Sequence, residues 1–495
     1  MHVAQFLTTL RLDSSAPTPL FRQLYAAIKQ AVLAGQLQSG MQLPPTRELS
    51  TIAGVSRQTV LNAYELLVAE GFLTGAVGKG TFISAGLPLA AQSGQPIPGA
   101  PPPLLRPLSP RGQRFAGARV RLNVPSGAPR AFRLGMPATD VFPFDLWARL
   151  ESRRWRRPSY QLGYDDPAGY PPLRRALAAY VSASRGVRCT AEQIVITSGS
   201  QQALFLAASM LLAPGDAAWV EEPGYRGMIA ALHAADVRAC PVPVDADGLC
   251  VAAGAATFPD AKLAYVTPSH QLPLGVTMSL PRRLALLEWA AASKAWVIED
   301  DYDSEYRYTG PPVASLQSLD QAGCVIYIGT LSKILFPGLR LGYMVLPAGL
   351  SEAFAHGKAI MDRHTPTVPQ MALADFIAEG HFSRHIRRTR EVHAERRAAL
   401  LDALNDYLAQ ELEIGPADAG LHLAVTFRDA LDDRAIAHAA LQKGIEVRAL
   451  SQTCHFTGPP GGGKPLSGLV LGFAPVPAAQ LRQGVLTLRE VVRNA

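Results

Sequence analysis

Hydrophobic and polar residues follow two different patterns along the 495-residue chain. Within residues 20–37, apolar side chains recur every three or four positions, a spacing that predicts an amphipathic helix. Two shorter helices are predicted after it. Thr46 can cap the first of them, with Leu49 and Ile52 facing inward, and Ser56 can cap the second. The N-terminal part of the chain is therefore predicted to be mostly helical.

A β-hairpin is predicted after the second short helix. Gly54 provides the turn between the two short helices, so they form a helix-turn-helix. The inward face of its second helix consists of Val60, Tyr64 and Leu67. The hairpin has strands near Phe72 and at residues 81–83, joined by a tip at residues 75–80 that contains Lys79. This hairpin has the shape of a wing.

Beyond residue 131 the pattern changes to short, nearly continuous apolar runs that alternate with helical segments. Such runs predict strands that are buried on both faces of a largely parallel sheet. Six of them lie at residues 194–197, 217–220, 263–266, 295–298, 325–328 and 343–346. Sheets of this kind bind ligands at the carboxyl ends of their strands, so the residues after each run are the first candidates for chemistry.

A region rich in proline and glycine separates the two patterns. Residues 85–130 contain ten prolines and six glycines, a composition that predicts a linker without a helix. The sequence therefore predicts an N-terminal winged helix-turn-helix domain at residues 1–84, this flexible linker, and a mostly parallel α/β domain at residues 131–495.

The net charge of +7 is concentrated near the N-terminus, because residues 85–130 contribute +6 and residues 1–84 contribute +2. This distribution suits a polyanionic partner such as DNA. The five cysteines show no CxxC spacing, so we expect neither a disulfide framework nor a metal site. No apolar run is long enough for a membrane span and the first residues lack a signal-peptide pattern, so a cytoplasmic protein is expected.

Four motifs in the N-terminal domain resemble the GntR family of winged-helix regulators. They read PTRELS, GVSRQTV, AYELLVAEG and GKGTFI within residues 17–84. The resemblance implies binding to a double-stranded DNA operator. The resemblance also implies which residues contact the DNA. They lie on or beside the second helix and in the wing, and they are Arg47, Arg57, Gln58, Thr59, Asn62 and Lys79. A solvated helix face would explain any one of them, but the group on one recognition element favours DNA contact.

A second group of motifs follows the predicted strands of the large domain. Lys333 lies in GTLSKILFPGLRLGY after the fifth strand, and Asp300 and Tyr302 lie in IEDDYDSEY after the fourth. Tyr225 follows the second strand, and TSGSQQAL joins the first strand to a helix. A lone lysine after a strand is usually a surface residue. A lysine beside an acid in a cleft is instead a functional arrangement.

These motifs resemble the fold-type I aminotransferases, in the arrangement found in MocR-type members of the GntR family. The resemblance implies pyridoxal 5'-phosphate (PLP) as cofactor. By this resemblance the amine of Lys333 would hold the cofactor's aldehyde and Asp300 its pyridine nitrogen. Tyr302 would hydrogen-bond the ring oxygen, Tyr225 would stack on the ring, and His270 lies in the region that contacts that oxygen.

The same resemblance implies a phosphate site and a partner subunit. The phosphate ligands would be Gly199, Ser200 and Gln201 at a helix start, with Thr330, Ser332 and Arg340 around the lysine. Tyr164 would reach the phosphate from the second chain of a head-to-tail homodimer. One departure concerns Val470, which stands where many aminotransferases carry a carboxylate-binding arginine. Arg448 is a candidate replacement, or it is a solvated strand end.

We therefore predict a PLP-dependent transcription regulator that senses PLP, an amine or an amino acid through Lys333, without net turnover. The intact winged domain and the valine at position 470 favour sensing. A working aminotransferase with a DNA-binding appendage is the alternative. A DNA-binding scaffold with an inactive cofactor site is a third and weaker reading, because the site residues look complete.

Overall fold

The chain forms two units, Met1–Pro107 and Leu108–Ala495. The computed structural model describes residues 3, 6–7, 10–76, 80–85, 106–117, 127–156, 163–310, 313–455 and 466–495. In these residues no helix has the length and apolar character needed to cross a membrane. All five cysteines are free, as the sequence predicted.

The N-terminal unit combines helices with a small antiparallel sheet. The helices are α1 (Leu20–Leu33), α2 (Thr46–Ala53) and α3 (Arg57–Ala69), and the strands are β1 (Gln42–Leu43), β2 (Leu73–Ala76) and β3 (Gly80–Ile83). The strand order is β1-β3-β2, so β2 and β3 form the predicted hairpin. Leu49, Val60, Tyr64 and Leu67 are buried between the helices and the sheet. The winged helix-turn-helix prediction is confirmed.

Two details of this unit differ from the sequence prediction. Ile52 is 48% exposed instead of facing inward, because α2 has only two turns and buries one face through Leu49. Thr46 is the first residue of α2 and does not cap it. Its hydroxyl accepts a hydrogen bond from Nε of Arg57 at 3.3 Å.

Ser56 caps α3 as predicted, since its hydroxyl accepts a hydrogen bond from the backbone N–H of Thr59 at 3.1 Å. Replacing Ser56 by alanine leaves that N–H without its cap and should destabilise the first turn of α3 by about 1 kcal/mol. Hydrogen exchange of the α3 amides in the full-length protein measures this opening. Ser56→Asp keeps a capping oxygen and should exchange like the wild type; equal exchange in Ser56→Ala would contradict the role of the cap.

An eight-stranded sheet forms the centre of the second unit. Its strands are β4 (Ile194–Thr197), β5 (Ala217–Glu222), β6 (Arg238–Asp245), β7 (Gly248–Leu249), β8 (Ala261–Val266), β9 (Trp296–Asp301), β10 (Val325–Thr330) and β11 (Gly342–Val345). The order is β4-β11-β10-β9-β8-β5-β6-β7. Strands β6, β5, β8, β9 and β10 are mutually parallel, whereas β11 and β7 run antiparallel to their neighbours. The predicted mostly parallel sheet is therefore confirmed.

The larger unit also contains helices, most of which cover the faces of this sheet. They are α4 (Pro110–Gly117), α5 (Phe144–Trp155), α6 (Pro171–Arg185), α7 (Ser200–Leu211), α8 (Arg226–Ala234), α9 (Val251–Thr257), α10 (Leu280–Ser293), α11 (Leu316–Leu319), α12 (Ser351–Asp362), α13 (Thr367–Ala378), α14 (His381–Leu408), α15 (Asp433–Gln442) and α16 (Ala478–Arg493). The last two, α15 and α16, pack on a second sheet instead. All six predicted strands are present. Strand β6 was missed because its two prolines and its half-buried residues interrupt the apolar run.

A second, antiparallel sheet follows α14 and was not predicted. It contains β12 (Leu412–Ile414), β13 (His422–Phe427), β14 (Arg448–Ala449) and β15 (Gly468–Gly472) in the order β12-β13-β15-β14. Its core combines Leu423 and Leu471 with Leu404 of α14 and Val485 of α16. Strands β12 and β14 are too short to give a pattern, whereas β13 and β15 are apolar runs that the sequence analysis did not recognise as strands of a second sheet.

Helix α4 lies within residues 85–130 and shows that the prediction of a linker without a helix was wrong. Phe115 packs edge-on against Phe205, with ring centroids 5.4 Å apart. Arg114 pairs with Asp236 at 2.8 Å. Short helices are marginal alone, and these contacts stabilise this one against the larger unit.

Candidate functional site

The candidate cofactor residues meet at the carboxyl ends of two neighbouring parallel strands. Strands β9 and β10 are in register, with Asp300 opposite Ile328. Asp300 therefore lies near the end of β9, while β10 ends at Thr330 and the chain turns through Ser332 to Lys333. Parallel pairing thus brings together groups that are 33 residues apart in the chain, as the sequence predicted.

Lys333 projects its amine toward the backbone of a distant segment. Its Nζ donates a hydrogen bond to the carbonyl of Gly135 at 2.7 Å. Gly135 has a φ of 77°, and a Cβ added there would lie 3.0 Å from Nζ, so a side chain at this position would crowd the amine. Burial lowers the pKa of Lys333, and the positive charges of Arg448 and Arg340 act in the same direction. The carboxylates of Asp303 and Asp300 oppose this shift, and on balance the amine loses its proton more readily than that of a solvated lysine.

Asp300 keeps one carboxylate oxygen without a partner. Its Oδ2 accepts a hydrogen bond from the hydroxyl of Tyr265 at 2.9 Å, whereas its buried Oδ1 has no hydrogen-bond partner within the described residues. Burial raises the pKa of Asp300 to about 7, and the negative charges of Asp301 and Asp303 add to the effect. A buried carboxylate with one unpaired oxygen is suited to accept a hydrogen bond from a charged N–H donor.

Tyr302 and His270 form a hydrogen-bonded group beside this acid. The Tyr302 hydroxyl donates to the backbone carbonyl of His270 at 2.8 Å. Nδ1 of His270 lies 3.1 Å from both that hydroxyl and the carboxylate of Asp303, and its buried Nε2 has no partner in the described structure. Tyr302 is thus held next to His270 at the cofactor edge of the sheet.

His270, Asp303 and His422 also offer ligand atoms within 4.8 Å of one another. Burial lowers the pKa of His422 well below its usual value, and the positive charges of Arg448 and Lys333 contribute to this shift. That this site holds no metal stays a prediction.

Tyr225 lies at the start of α8 and is half-buried. Its hydroxyl donates to Oε1 of Gln201 at 3.3 Å, and Nε2 of Gln201 donates to the carbonyl of Gly227 at 2.8 Å. Burial raises the pKa of Tyr225 to about 12, so its hydroxyl stays protonated. The side chain of Gln201 therefore positions Tyr225. Only the backbone N–H of Gln201 is then a potential phosphate ligand.

The predicted phosphate ligands come from two adjacent turns. Gly199 precedes α7 with a φ of 99°, and a Cβ there would lie 3.2 Å from the guanidinium of Arg340. Arg340 donates to the carbonyl of Ser198 at 2.7 Å. Ser332 has a buried hydroxyl without a partner in the described residues, and its N–H donates to the Thr330 hydroxyl at 3.3 Å.

Ser200 is the first residue of α7, so its N–H belongs to the free amides of that helix start. These amides, Arg340 and the Ser332 hydroxyl together supply donors and positive charge for an anion.

Tyr164 lies on the surface, with 85% of its area exposed. The guanidinium of Arg363 lies 5.0 Å from its ring centroid, and the ring of His364 lies 6.4 Å from it. This exposed aromatic surface is where the sequence resemblance placed a contact with a second chain.

Arg448 and Val470 face each other across the second sheet. The two residues are directly paired between β14 and β15. Side chains of directly opposed residues in an antiparallel pair point to the same face of the sheet. Arg448 also acts electrostatically on Lys333 and Tyr225. Its positive charge therefore lies on the face to which Val470 points.

Four residues of this site were missed in the sequence analysis: Gly135, Tyr265, Asp303 and His422. Gly135 is 198 residues from Lys333 in the chain, and Tyr265 reads as an ordinary strand residue of β8. Only Asp303, within IEDDYDSEY, lay in a motif that had already been singled out.

The candidate nucleic-acid interface lies on and beside α3. Arg57 and Gln58 are exposed, Thr59 and Asn62 are half-buried, and Gln58 donates a hydrogen bond to Asn62 at 2.7 Å. Arg47 is exposed on α2, so five of the six predicted residues share the helix-turn-helix. The sixth, Lys79, lies outside the described residues.

The basic segment at residues 384–397 belongs to α14. Arg396 pairs with Asp140 at 2.5 Å, and Arg397 donates to the carbonyl of Ala417. Arg390 donates to the carbonyl of Glu305 at 2.9 Å. Several of these arginines thus hold α14 against the large unit, as expected of a structural helix face.

Known protein families account for both units. Residues 149–459 match the aminotransferase class I and II family, and residues 20–83 match the bacterial regulatory proteins of the gntR family. The chain is 40% identical over 481 residues to the probable rhizopine catabolism regulatory protein MocR of Rhizobium meliloti, covering 97% of this chain and 95% of the relative. It is 32% identical to the pyridoxine biosynthesis transcriptional regulator PdxR of Corynebacterium glutamicum, covering 94% of each.

Solved aminotransferases share the fold of the larger unit. A kynurenine aminotransferase of Pyrococcus horikoshii, in complex with PMP, superposes with a TM-score of 0.67 at 27% identity, covering 79% of this chain and 96% of its own. LysN of Thermus thermophilus, complexed with N-(5'-phosphopyridoxyl)-L-leucine, gives a TM-score of 0.66 at 28% identity, covering 73% of this chain and 92% of its own.

Fold and site together define a DNA-binding winged-helix unit joined to an aminotransferase-like unit whose family is typically PLP-dependent. The chain belongs to the MocR-type transcription regulators of the GntR family. The match over nearly the whole length of a regulator favours regulation over a pure aminotransferase.

Proposed function

We propose that this regulator binds PLP at the carboxyl ends of β9 and β10 and uses it to sense PLP itself or an amine. The observation that supports this most strongly is the unpartnered Oδ1 of Asp300, a buried acceptor on the strand next to the one that leads to Lys333. Buried acceptors are rarely left unpaired, and none of the described residues supplies a donor here, so a bound group with an N–H would complete the hydrogen bonding. A protonated pyridine nitrogen is such a donor.

The remaining residues fit the rest of that cofactor. When bound, PLP supplies an aldehyde that reacts with primary amines and a ring that withdraws electrons. Lys333 is the amine that would hold the aldehyde, and burial lowers its pKa, which favours the loss of its proton. Tyr225 would pack on the ring, while Tyr302 and His270 would hydrogen-bond its oxygen.

The phosphate would be bound at the start of α7. Gly199, Ser200 and Gln201 would offer backbone amides, and Arg340 would neutralise the charge. The buried hydroxyl of Ser332 lacks a partner in the described residues and is ready to donate, with Thr330 beside it. Tyr164 would complete the site from the partner of a homodimer, which is consistent with its exposure in one chain.

In this proposal the state of Lys333 controls DNA binding. An amine effector that displaces the Lys333 amine would change how the larger unit closes, and residues 85–130 would transmit the change to the winged-helix unit. Electrophoretic mobility shift with the protein's own upstream DNA, titrated with and without PLP, tests this. A shift that PLP and amines leave unchanged would contradict sensing.

DNA contact is proposed for Arg47, Arg57, Gln58, Thr59 and Asn62 of the helix-turn-helix, and for Lys79 of the wing. Replacing Arg57 by alanine should weaken operator binding about tenfold and reduce the salt dependence by about one phosphate contact, because an exposed guanidinium would be lost from the interface. Fluorescence anisotropy at several salt concentrations measures both quantities.

Arg22 offers a matched control, since it is an exposed arginine of the same unit that belongs to α1 and not to the helix-turn-helix. Arg22→Ala should bind like the wild type. Equal losses in the two variants would show that only the net charge of the unit matters, and would count against Arg57 as a contact.

Amino-acid transamination is a second candidate function, favoured by one observation. Arg448 brings a positive charge to the face to which Val470 points, where it could hold a substrate carboxylate. Steady conversion of an amino acid and a keto acid by the PLP-loaded full-length protein, abolished by Arg448→Gln, would support turnover. A single stoichiometric reaction without turnover would support sensing.

A further inference from the structure

A cavity of about 530 Å³ lies in the larger unit, apart from the candidate cofactor site. Its walls come from the C-terminal end of α6, the segment after β9, the first half of α14 and the residue before Gly420. Side chains alternate between the two faces of a strand, so Asp300 and Asp301 of β9 point in opposite directions. Asp300 bonds Tyr265 on the cofactor side, whereas Asp301 pairs with Arg185 in the wall of the cavity.

Arginines dominate the polar lining of this cavity. They are Arg185, Arg307, Arg387 and Arg390. Arg185 is buried and fully engaged, because it pairs with Asp301 at 2.8 Å and donates to Ser269 at 2.6 Å and to the carbonyl of Val313 at 2.6 Å. None of the other three forms an ion pair with an acidic side chain in the described parts of the chain. Three of the four guanidinium groups in the lining therefore have no acidic side chain as an ion-pair partner among the described residues.

Two buried donors in this lining lack partners. Nε of Arg307 and the hydroxyl of Ser304 are both inaccessible to solvent and make no hydrogen bond within the described residues. A buried donor left unpaired is costly, particularly when it belongs to a charged group. Both side chains follow the same strand and line the same cavity.

The acidic and apolar parts of the lining limit what can bind. Glu305 accepts a hydrogen bond from the hydroxyl of Tyr180 at 2.8 Å, and burial raises the pKa of Glu305 to about 7. Near neutral pH this acid is therefore about half ionised and offsets only part of the positive charge. Val313, Ile386 and Ala419 supply apolar walls.

From these features we infer that the cavity is a binding site for a small organic anion whose carboxylate or phosphate oxygens accept from the guanidinium groups of Arg307 and Arg387. Charge-assisted bonds to guanidinium groups are the strong contacts expected for such oxygens. The apolar walls would contact the carbon skeleton of the ligand. This site is separate from the proposed phosphate site at the start of α7, so the protein would bind a second small molecule besides its cofactor.

Isothermal titration calorimetry of the full-length protein tests this inference, with succinate and inorganic phosphate as separate probes. PLP is already present, so that it occupies the proposed phosphate site at the start of α7. We expect saturable binding of at least one probe with a dissociation constant of about 1 mM or tighter. Succinate binding alone identifies a carboxylate site, and phosphate binding alone a phosphate site. Binding of neither probe would overturn the inference.

Variants locate the binding and control for folding. Arg307→Gln should weaken it at least about tenfold, the loss expected for a charged hydrogen bond. Arg387→Gln changes an exposed residue of the lining, so this substitution should not disturb the fold. It should also weaken binding. Arg388→Gln removes an exposed neighbour on α14 outside the lining and should have no effect. Wild-type affinity in both lining variants, or an equal loss in Arg388→Gln, would overturn the inference.

Discussion

Lys333→Ala should lose all covalent attachment of PLP while its affinity for operator DNA stays at the wild-type level. The side-chain amine of Lys333 is the only group proposed to bond the cofactor's aldehyde, and alanine has no side-chain amine. Borohydride treatment followed by peptide mass spectrometry should show a cofactor-modified peptide containing Lys333 in the wild type and no modified peptide in the variant. The variant should also bind DNA identically with and without PLP.

Lys358 provides a matched control for this experiment. It is a buried lysine whose pKa is likewise lowered by burial, and its amine pairs with Asp362 at 2.9 Å. Lys358→Ala should still yield the modified Lys333 peptide, because position at the strand ends, and not a lowered pKa alone, selects the reactive amine. An unchanged PLP response in Lys333→Ala would disprove the sensing mechanism even if PLP binds.

Asp300→Ala should weaken PLP binding about 100-fold, since the buried charged hydrogen bond to the ring nitrogen would be lost. Tyr265→Phe is the graded comparison. It removes only the hydroxyl that bonds Oδ2, so a loss of about 1 kcal/mol is expected. Equilibrium titration followed by the visible absorbance of bound PLP measures both. Equal affinities of Asp300→Ala and wild type would remove the main support for the cofactor site.

The cofactor-free protein gives an independent readout for Asp300. The pKa of this acid is raised on folding from 3.8 to about 7, so folding favours its protonated form. Its contribution to stability is therefore most favourable at low pH and is lost as the pH rises toward about 7. Asp300→Asn cannot ionise, so without PLP it should unfold at higher denaturant concentration than the wild type above about pH 7. Identical pH profiles for the two proteins would mean that Asp300 is not desolvated.

Local patterns sufficed for the winged helix and for the strands of the large sheet. The three-to-four-residue spacing in α1 and α3 and the capping serine at position 56 act within one or two turns, and the structure bears them out. Continuous apolar runs likewise marked β4, β5, β8, β9, β10 and β11. Lys333 and Asp300 could be placed together in advance because the ends of adjacent parallel strands must meet.

Other features depend on contacts between distant residues. The carbonyl of Gly135 that receives the Lys333 amine and the hydroxyl of Tyr265 that bonds Asp300 come from segments with no distinguishing pattern. Helix α4 forms in a region rich in proline and glycine because Phe115 packs on Phe205. The antiparallel sheet of β12 to β15 joins strands separated by helices and loops.

Periodicity, capping and strand order thus established the two kinds of domain and the edge of the sheet where the chemistry lies, because each reflects interactions between near neighbours or a simple rule of parallel pairing. Folding in three dimensions determined which oxygen of Asp300 has no partner among the described residues, and it placed the side chains of Arg307 and Ser304 in the lining of one cavity. Burial and the loss of water give these atoms their properties, and both depend on every segment that packs around them.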